Sequence, residues 1–385
     1  MKDLIFPSSF TLKTGLRVKN RIFLSSIGLD LADEDGKCSV ELVDFYKKII
    51  DGSVGMVKIG NATVSSSSRL HKRGLGLFTL EHVNALKPII DYGNEKNSLI
   101  VIQLQHYGAQ GSSQYTSSPL LSPSGKSCSR MMNKFPHDQV IEMTTNDIEN
   151  VINEFIYAAW LVYQAGGKAI QIQAANGYLI SSFLSPYTNQ RTDEYGGSPQ
   201  KRGLILKKII EGINIKTKGK LHIFVRLGID DGFDNDIGQK PEYLQSLIKE
   251  LENLNVSGIE CSICIGETFH KFLQGFNLKI KQRLFAGART IKSYTKKIPV
   301  GCTGLVTSIE DAENLLKEYN LDYIGMARAL FADPQLLNKF YQKIPVNHCK
   351  FEGFCFRDKS NPILDRVYCC VNPDYLRNSE IKYEI

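Results

Sequence analysis

Three polar side chains arrive together at the end of one short apolar run, in A-I-Q-I-Q-A-A-N-G-Y: Gln173, Asn176 and Tyr178. Carboxamides donate hydrogen bonds without changing charge, and a phenol with a pKa of about 10 keeps its proton at neutral pH. Two amide donors beside a phenol can polarise a carbonyl and deliver a proton close to it. Two arginines also close apolar runs, Arg226 after H-I-F-V and Arg328 in M-A-R-A-L-F. A buried guanidinium needs an anionic or electron-rich partner, and beside backbone N–H groups it can fork onto a phosphate. Each residue also has a plainer reading. Arg226 could form an ion pair inside the fold, Arg328 one on the surface. Gln103, in Q-L-Q-H-Y-G, could be a satisfied core amide, and Tyr178 a buried structural tyrosine.

Strand-length apolar runs alternate with helical patterns along the chain. Strands are expected at 22–26, 56–59, 99–104, 169–173, 223–227, 258–262, 299–303 and 323–326. Helices are expected at 40–50, 81–92, 147–165, 201–213, 242–254, 282–294, 309–318 and 335–341. Repeated β-α units with continuous apolar strands imply a parallel sheet covered by helices. Eight of them predict an α/β fold of the closed (β/α)8 TIM-barrel type over residues 1–341, with a short cysteine-containing appendage, 342–385, packed on it. A doubly wound open sheet is the other arrangement, but no G-x-G-x-x-G follows the first strand.

Barrel chemistry sits at the C-terminal strand ends. Those ends supply Ser25 and Ser26, Gly60 and Asn61, Gln103, Gln173 with Asn176, Arg226, Cys261, Thr303 with Gly304, and Arg328. A mouth of amides, glycines and two arginines, read as lacking a carboxylate or metal-ligand pair, does not suit hydrolysis. Gly304 and Arg328 fall after the seventh and eighth strands, where barrels commonly bind phosphate. The Ser-, Pro- and Met-rich segment 119–143 reads as an excursion over the mouth.

A chain of 385 residues suits one barrel with additions. The net charge of +7 is spread as single Lys and Arg residues among acids, which argues against nucleic acid as a partner. The start, M-K-D-L-I-F-P-S-S-F, lacks the apolar core of a signal peptide, and no run reaches the roughly 20 apolar residues of a membrane span. Nine cysteines, an odd count, fit reduced thiols in the cytoplasm.

The run F-L-S-P-Y-T-N-Q-R-T-D-E-Y-G-G-S, residues 183–198, closely resembles the signature loop of the Old Yellow Enzyme family of flavin-dependent ene-reductases. The likeness extends over residues 4–340. It implies an FMN enzyme in which NADH or NADPH reduces the flavin, which then reduces the C=C bond of a small activated alkene such as an enone or enoyl thioester. By this resemblance Gln103 and Arg226 contact the flavin pyrimidine, and Arg226 stabilises the anion of reduced FMN. Ser25, Ser26 and Ile27 run beneath the ring beside Gly60, while Gly304, Ala327 and Arg328 hold the phosphate. Gln173 and Asn176 fall where the family has a His-His or His-Asn pair, and Tyr178 matches the proton donor. Three positions depart from the pattern: Gly28 replaces a threonine or cysteine, Gln173 a histidine and Ala327 a glycine.

The tail, C-K-F-E-G-F-C followed by C-C-V-N-P, resembles the iron–sulfur segment of the 2,4-dienoyl-CoA reductase branch, to which the chain looks nearest. Cys349, Cys355 and Cys369 or Cys370 fit its spacing loosely, and Glu352 stands where another thiolate would fall. Four thiolates are the normal set, so no [4Fe–4S] cluster and no other metal is expected, nor the branch's second-flavin domain after Ile385. The expected partner is a small molecule, with neither nucleic acid nor membrane; a homo-oligomer stays open. Two other functions stay open as well: a flavin-binding protein with impaired catalysis, given Gly28, Gln173 and Ala327, and a flavin-free phosphate-binding barrel lyase or aldolase.

Overall fold

Runs such as L-I-V-I-Q-L-Q have almost no polar face, so they are stable only where both faces are covered. In the computed structural model, which describes residues 4–273, 275–353, 355 and 367–376, they form a closed parallel barrel. Its strands are β1 (Ile22–Leu24), β2 (Met56–Thr63), β3 (Leu99–Gln105), β4 (Ala169–Ala174), β5 (His222–Asp230), β6 (Gly258–Ile263), β7 (Val300–Thr303) and β8 (Tyr323–Met326). Neighbours in sequence are neighbours in the barrel, and β8 pairs with β1 to close it. The open-sheet alternative is thereby excluded.

The helices that cover this barrel are α1 (Val40–Asp51), α2 (Leu80–Glu95), α3 (Thr145–Gln164), α4 (Leu204–Lys216), α5 (Gln245–Asn253), α6 (Leu278–Ser293), α7 (Ile309–Tyr319) and α8 (Leu336–Gln342). Side-chain caps fix several starts. Ser39, Thr79 and Ser308 each accept an N–H of the first turn, and Thr144 with Asp147 forms a reciprocal capping box. The helix expected from 201 is two pieces, Pro199–Arg202 and α4, because the chain turns at Gly203. The one expected from 242 opens as a 3₁₀ turn, Pro241–Leu244. α6 starts earlier than expected because Asn277 caps it.

An antiparallel pair, Phe10–Thr11 with Arg17–Val18, covers the N-terminal end of the barrel. There Phe10, Leu12 and Val18 pack against Phe23, Met56, Phe224 and Tyr323. The excursion expected at 119–143 carries a small parallel pair, Leu120–Ser122 with Val140–Glu142, and a short helix, Ser129–Lys134. Of the tail, residues 367–376 lie against the barrel. The Val367 N–H donates to the Leu29 carbonyl, the Asn372 side chain donates to the Phe331 carbonyl at 2.6 Å, and Tyr375 packs on Phe45 and Phe331. Residues 354, 356–366 and 377–385 of the expected appendage fall outside the described residues. Among the described residues no helix is long and apolar enough to cross a membrane.

Candidate active site

The strand ends surround a cavity of about 340 Å³ at the C-terminal face, within the range of small-molecule sites. Its floor is built on charges inside the barrel. Glu260 on β6 and Lys58 on β2 both have fully buried side chains and pair at 2.6 Å. The second Glu260 oxygen accepts the Ser25 hydroxyl at 2.7 Å. Gln171 donates to Glu260 at 2.9 Å and accepts from Gln103 at 2.8 Å. Burial alone would push the Glu260 carboxyl up, but Lys58 and Arg226 outweigh it and hold the carboxyl at about 2. Burial pulls the Lys58 ammonium down against the opposing pull of Glu260, and the 2.6 Å contact between the two buried groups is that of an ion pair.

Arg226, from β5, lies above this pair and lines the cavity. Its Nε is 3.6 Å from Glu260, and its terminal nitrogens make long contacts, 3.3–3.4 Å, to Ser25, Ser26 and Ser262. Arg226 is thus ion-paired inside the barrel and also faces the cavity. The expectation of a mouth without a carboxylate is corrected by Asp30, which lines the cavity beside His71, and Glu260 adds a second acid one layer down. A charged residue inside each of two apolar runs, M-V-K-I and G-I-E-C, was the available signal.

The walls differ from the floor. Gln105 is fully buried, lines the cavity and has neither its Oε1 nor its Nε2 hydrogen-bonded. The Ser26 and Thr303 hydroxyls are likewise buried without partners. Gln173 accepts the Ala175 N–H on its oxygen at 3.1 Å, which leaves its amide nitrogen as the donor it offers the cavity. Tyr178 meets Tyr107 edge to face, with centroids 5.6 Å apart. Burial raises the Tyr178 pKa, with Arg130 and Arg226 pulling the other way; the phenol keeps its proton at neutral pH.

Asn176 is brought to the same place but used differently. It sits at φ +61°, and its amide nitrogen donates to Ser262 and to the carbonyls of Ile263 and Cys264 at 3.0–3.4 Å. Those bonds tie the loop after β4 to the end of β6. Ile27 and Asn61 line the cavity, whereas Gly60 lies behind them with its N–H donating to the Tyr46 hydroxyl. A Cβ at Gly28 would lie 3.0 Å from the Asn61 oxygen, and the Asn61 nitrogen donates to Tyr107.

At the far end Gly304, Ala327 and Arg328 line the cavity together. The Arg328 guanidinium rests 4.5 Å from the Phe351 ring and 5.9 Å from Phe272. Cys355 also reaches this corner. Among the described residues no three His, Cys, Asp or Glu side chains converge to hold a metal. Unpartnered amide and hydroxyl groups at one end and Arg328 at the other fit a flat heteroaromatic ring that bears a phosphate, as FMN does.

The family model for the NADH:flavin oxidoreductase / NADH oxidase family matches residues 7–347. An NADPH dehydrogenase of Geobacillus sp. (strain WCH70) is 32% identical over 340 residues, 87% of this chain and 92% of that protein. A 2-naphthoyl-CoA reductase in complex with 2-naphthoyl-CoA superposes with a TM-score of 0.86 at 22% identity over 96% of this chain, which spans 57% of that longer chain. The Old Yellow Enzyme homologue of Zymomonas mobilis superposes with a TM-score of 0.74 at 21% identity, over 89% of this chain and 94% of that one. The barrel and its cavity are those of a flavin-dependent NAD(P)H oxidoreductase. This chain belongs to the NADH:flavin oxidoreductase / NADH oxidase family, the family of Old Yellow Enzyme, and its cofactors are FMN and NADH or NADPH. The flavin-free lyase alternative is excluded with that.

Proposed function

We propose that this oxidoreductase reduces the C=C bond of a small activated alkene, an enone or an enoyl thioester. One observation carries the reading: a protonated phenol, Tyr178, and an amide donor, Gln173, line the same cavity as Arg226. FMN, when bound, supplies the hydride that NAD(P)H has given it. Gln173 would donate to the carbonyl oxygen, where negative charge grows as the alkene is attacked. Tyr178 would protonate the α-carbon; its raised pKa keeps the proton available across the neutral range. Asn176 would share in orienting the carbonyl chiefly by holding the loop that carries Tyr178. Arg130 and Lys134, on the short helix over the mouth, line the cavity and suit an anionic substrate or dinucleotide. The likeness to a 2-naphthoyl-CoA reductase in complex with its thioester supports including thioesters among the candidates.

A second reading, a flavin protein impaired in alkene reduction, draws on Asn176, whose amide N–H groups are already spent. Rapid mixing separates the two. Enzyme reduced by NADPH is mixed anaerobically with cyclohexenone or crotonyl-CoA. Reoxidation of the flavin with stoichiometric saturated product supports the reductase. Flavin that stays reduced against both compounds supports the impaired protein. We place the protein in the cytoplasm with its thiols reduced, either alone or as a homo-oligomer. We read the tail cysteines as plain thiols. About four irons and four sulfides per chain after anaerobic purification would overturn that.

A further inference from the structure

We propose that Lys58 and Glu260 are positioning residues that set the charge Arg226 presents to the cofactor, and with it the cofactor's reduction potential. Two cations, Lys58 and Arg226, share one acid. Glu260 gives one oxygen to Lys58 and Gln171 and the other to the Ser25 hydroxyl, all at 2.6–2.9 Å. Arg226 comes only to 3.6 Å, and its Nε makes no hydrogen bond. Three of the roughly four acceptor positions of the carboxylate are taken by these groups, and the guanidinium stands off at 3.6 Å.

Lys58 is held where it is by aromatic rings. Its ammonium lies 4.1 Å from the Phe23 centroid, 5.3 Å from Phe224 and 5.6 Å from Tyr323, contacts that favour a desolvated cation. Among the described residues Glu260 is the one carboxylate in ion-pair range of either cation. Two positive charges and one negative leave the cluster at net +1. The surplus falls on Arg226, the member that lines the cavity. Two-electron reduction of a flavin adds negative charge to the ring system, so a cationic floor favours the reduced form. Without the Lys58 charge, Glu260 would turn its full charge on Arg226 and the floor would become neutral.

The test uses the FMN-loaded protein and reads the potential of the bound flavin against a reference dye, together with FMN affinity. In Lys58→Met, affinity for reduced relative to oxidised flavin should fall at least about tenfold, a drop of about 30 mV for a two-electron couple. Lys58→Gln keeps a donor for the Glu260 oxygen and should move the same way; it serves if the methionine variant does not fold. The double variant Lys58→Met/Glu260→Gln removes one charge of each sign and should return to within about threefold of the parent. A purely structural role would leave the double variant as far from the parent as the single one, or further. An unchanged potential in both Lys58 variants, or a double variant that is not restored, overturns the proposal.

Discussion

The floor and the walls of one cavity treat their buried polar groups in opposite ways. On the floor Gln103, Gln171, Ser25, Lys58 and Glu260 form one connected hydrogen-bonded network. On the walls Gln105, Ser26 and Thr303 keep buried polar atoms with no protein partner. An unmatched buried group costs about 1–3 kcal/mol, so a fold keeps one where something else completes it. The floor is therefore finished by the protein itself, whereas the walls are finished by what binds there.

The largest effect belongs to the walls. Tyr178→Phe keeps the ring and loses the proton, and alkene reduction should slow by about 10²–10⁴-fold. Reduction of the flavin by NADPH should change little, and rapid mixing of the two half-reactions separates them. Equal rates of reoxidation in variant and parent would remove Tyr178 from its role. On the floor, Glu260→Ala leaves the buried Lys58 and the partly buried Arg226 with no acid. It should cost about 3–5 kcal/mol of stability, read from urea unfolding of the flavin-free protein. Arg328→Ala should weaken FMN retention by about 1.5–3 kcal/mol, measured by fluorescence of released flavin, with little change in the flavin-free melting curve.

The smallest effects give the most direct contrast. Gln103→Leu strands the oxygen of Gln171 and should destabilise the flavin-free protein by about 1–2 kcal/mol. Gln105→Leu removes a group that has no partner and should leave that stability unchanged or raise it, while weakening flavin or substrate binding. Equal destabilisation by both substitutions would erase the distinction between floor and walls.

Much of the barrel was legible because its strands are buried on both faces and read as unbroken apolar runs. Arg226, Gln103 and Tyr178 were legible because polar groups at strand ends stand out against such runs. Lys58 and Glu260 each stand out as a lone charge in an apolar run, but their pairing joins residues 202 apart in sequence, and no local pattern encodes a partner at that distance. Asn176 lies at the cavity as expected, but the direction of its amide depends on a left-handed turn and on two carbonyls at the end of another strand, those of Ile263 and Cys264. The break at Gly203 and the Asn277 cap are likewise settled by neighbours that sequence periodicity does not contain.

The close approach of Gly28 and Asn61 makes the two positions answerable to each other. A Cβ at position 28 would meet the Asn61 oxygen at 3.0 Å, and Asn61 is itself tethered to Tyr107 at 3.2 Å. A side chain at 28 therefore asks the asparagine to give by a few tenths of an ångström, and the strength of its bond to Tyr107 sets what that costs.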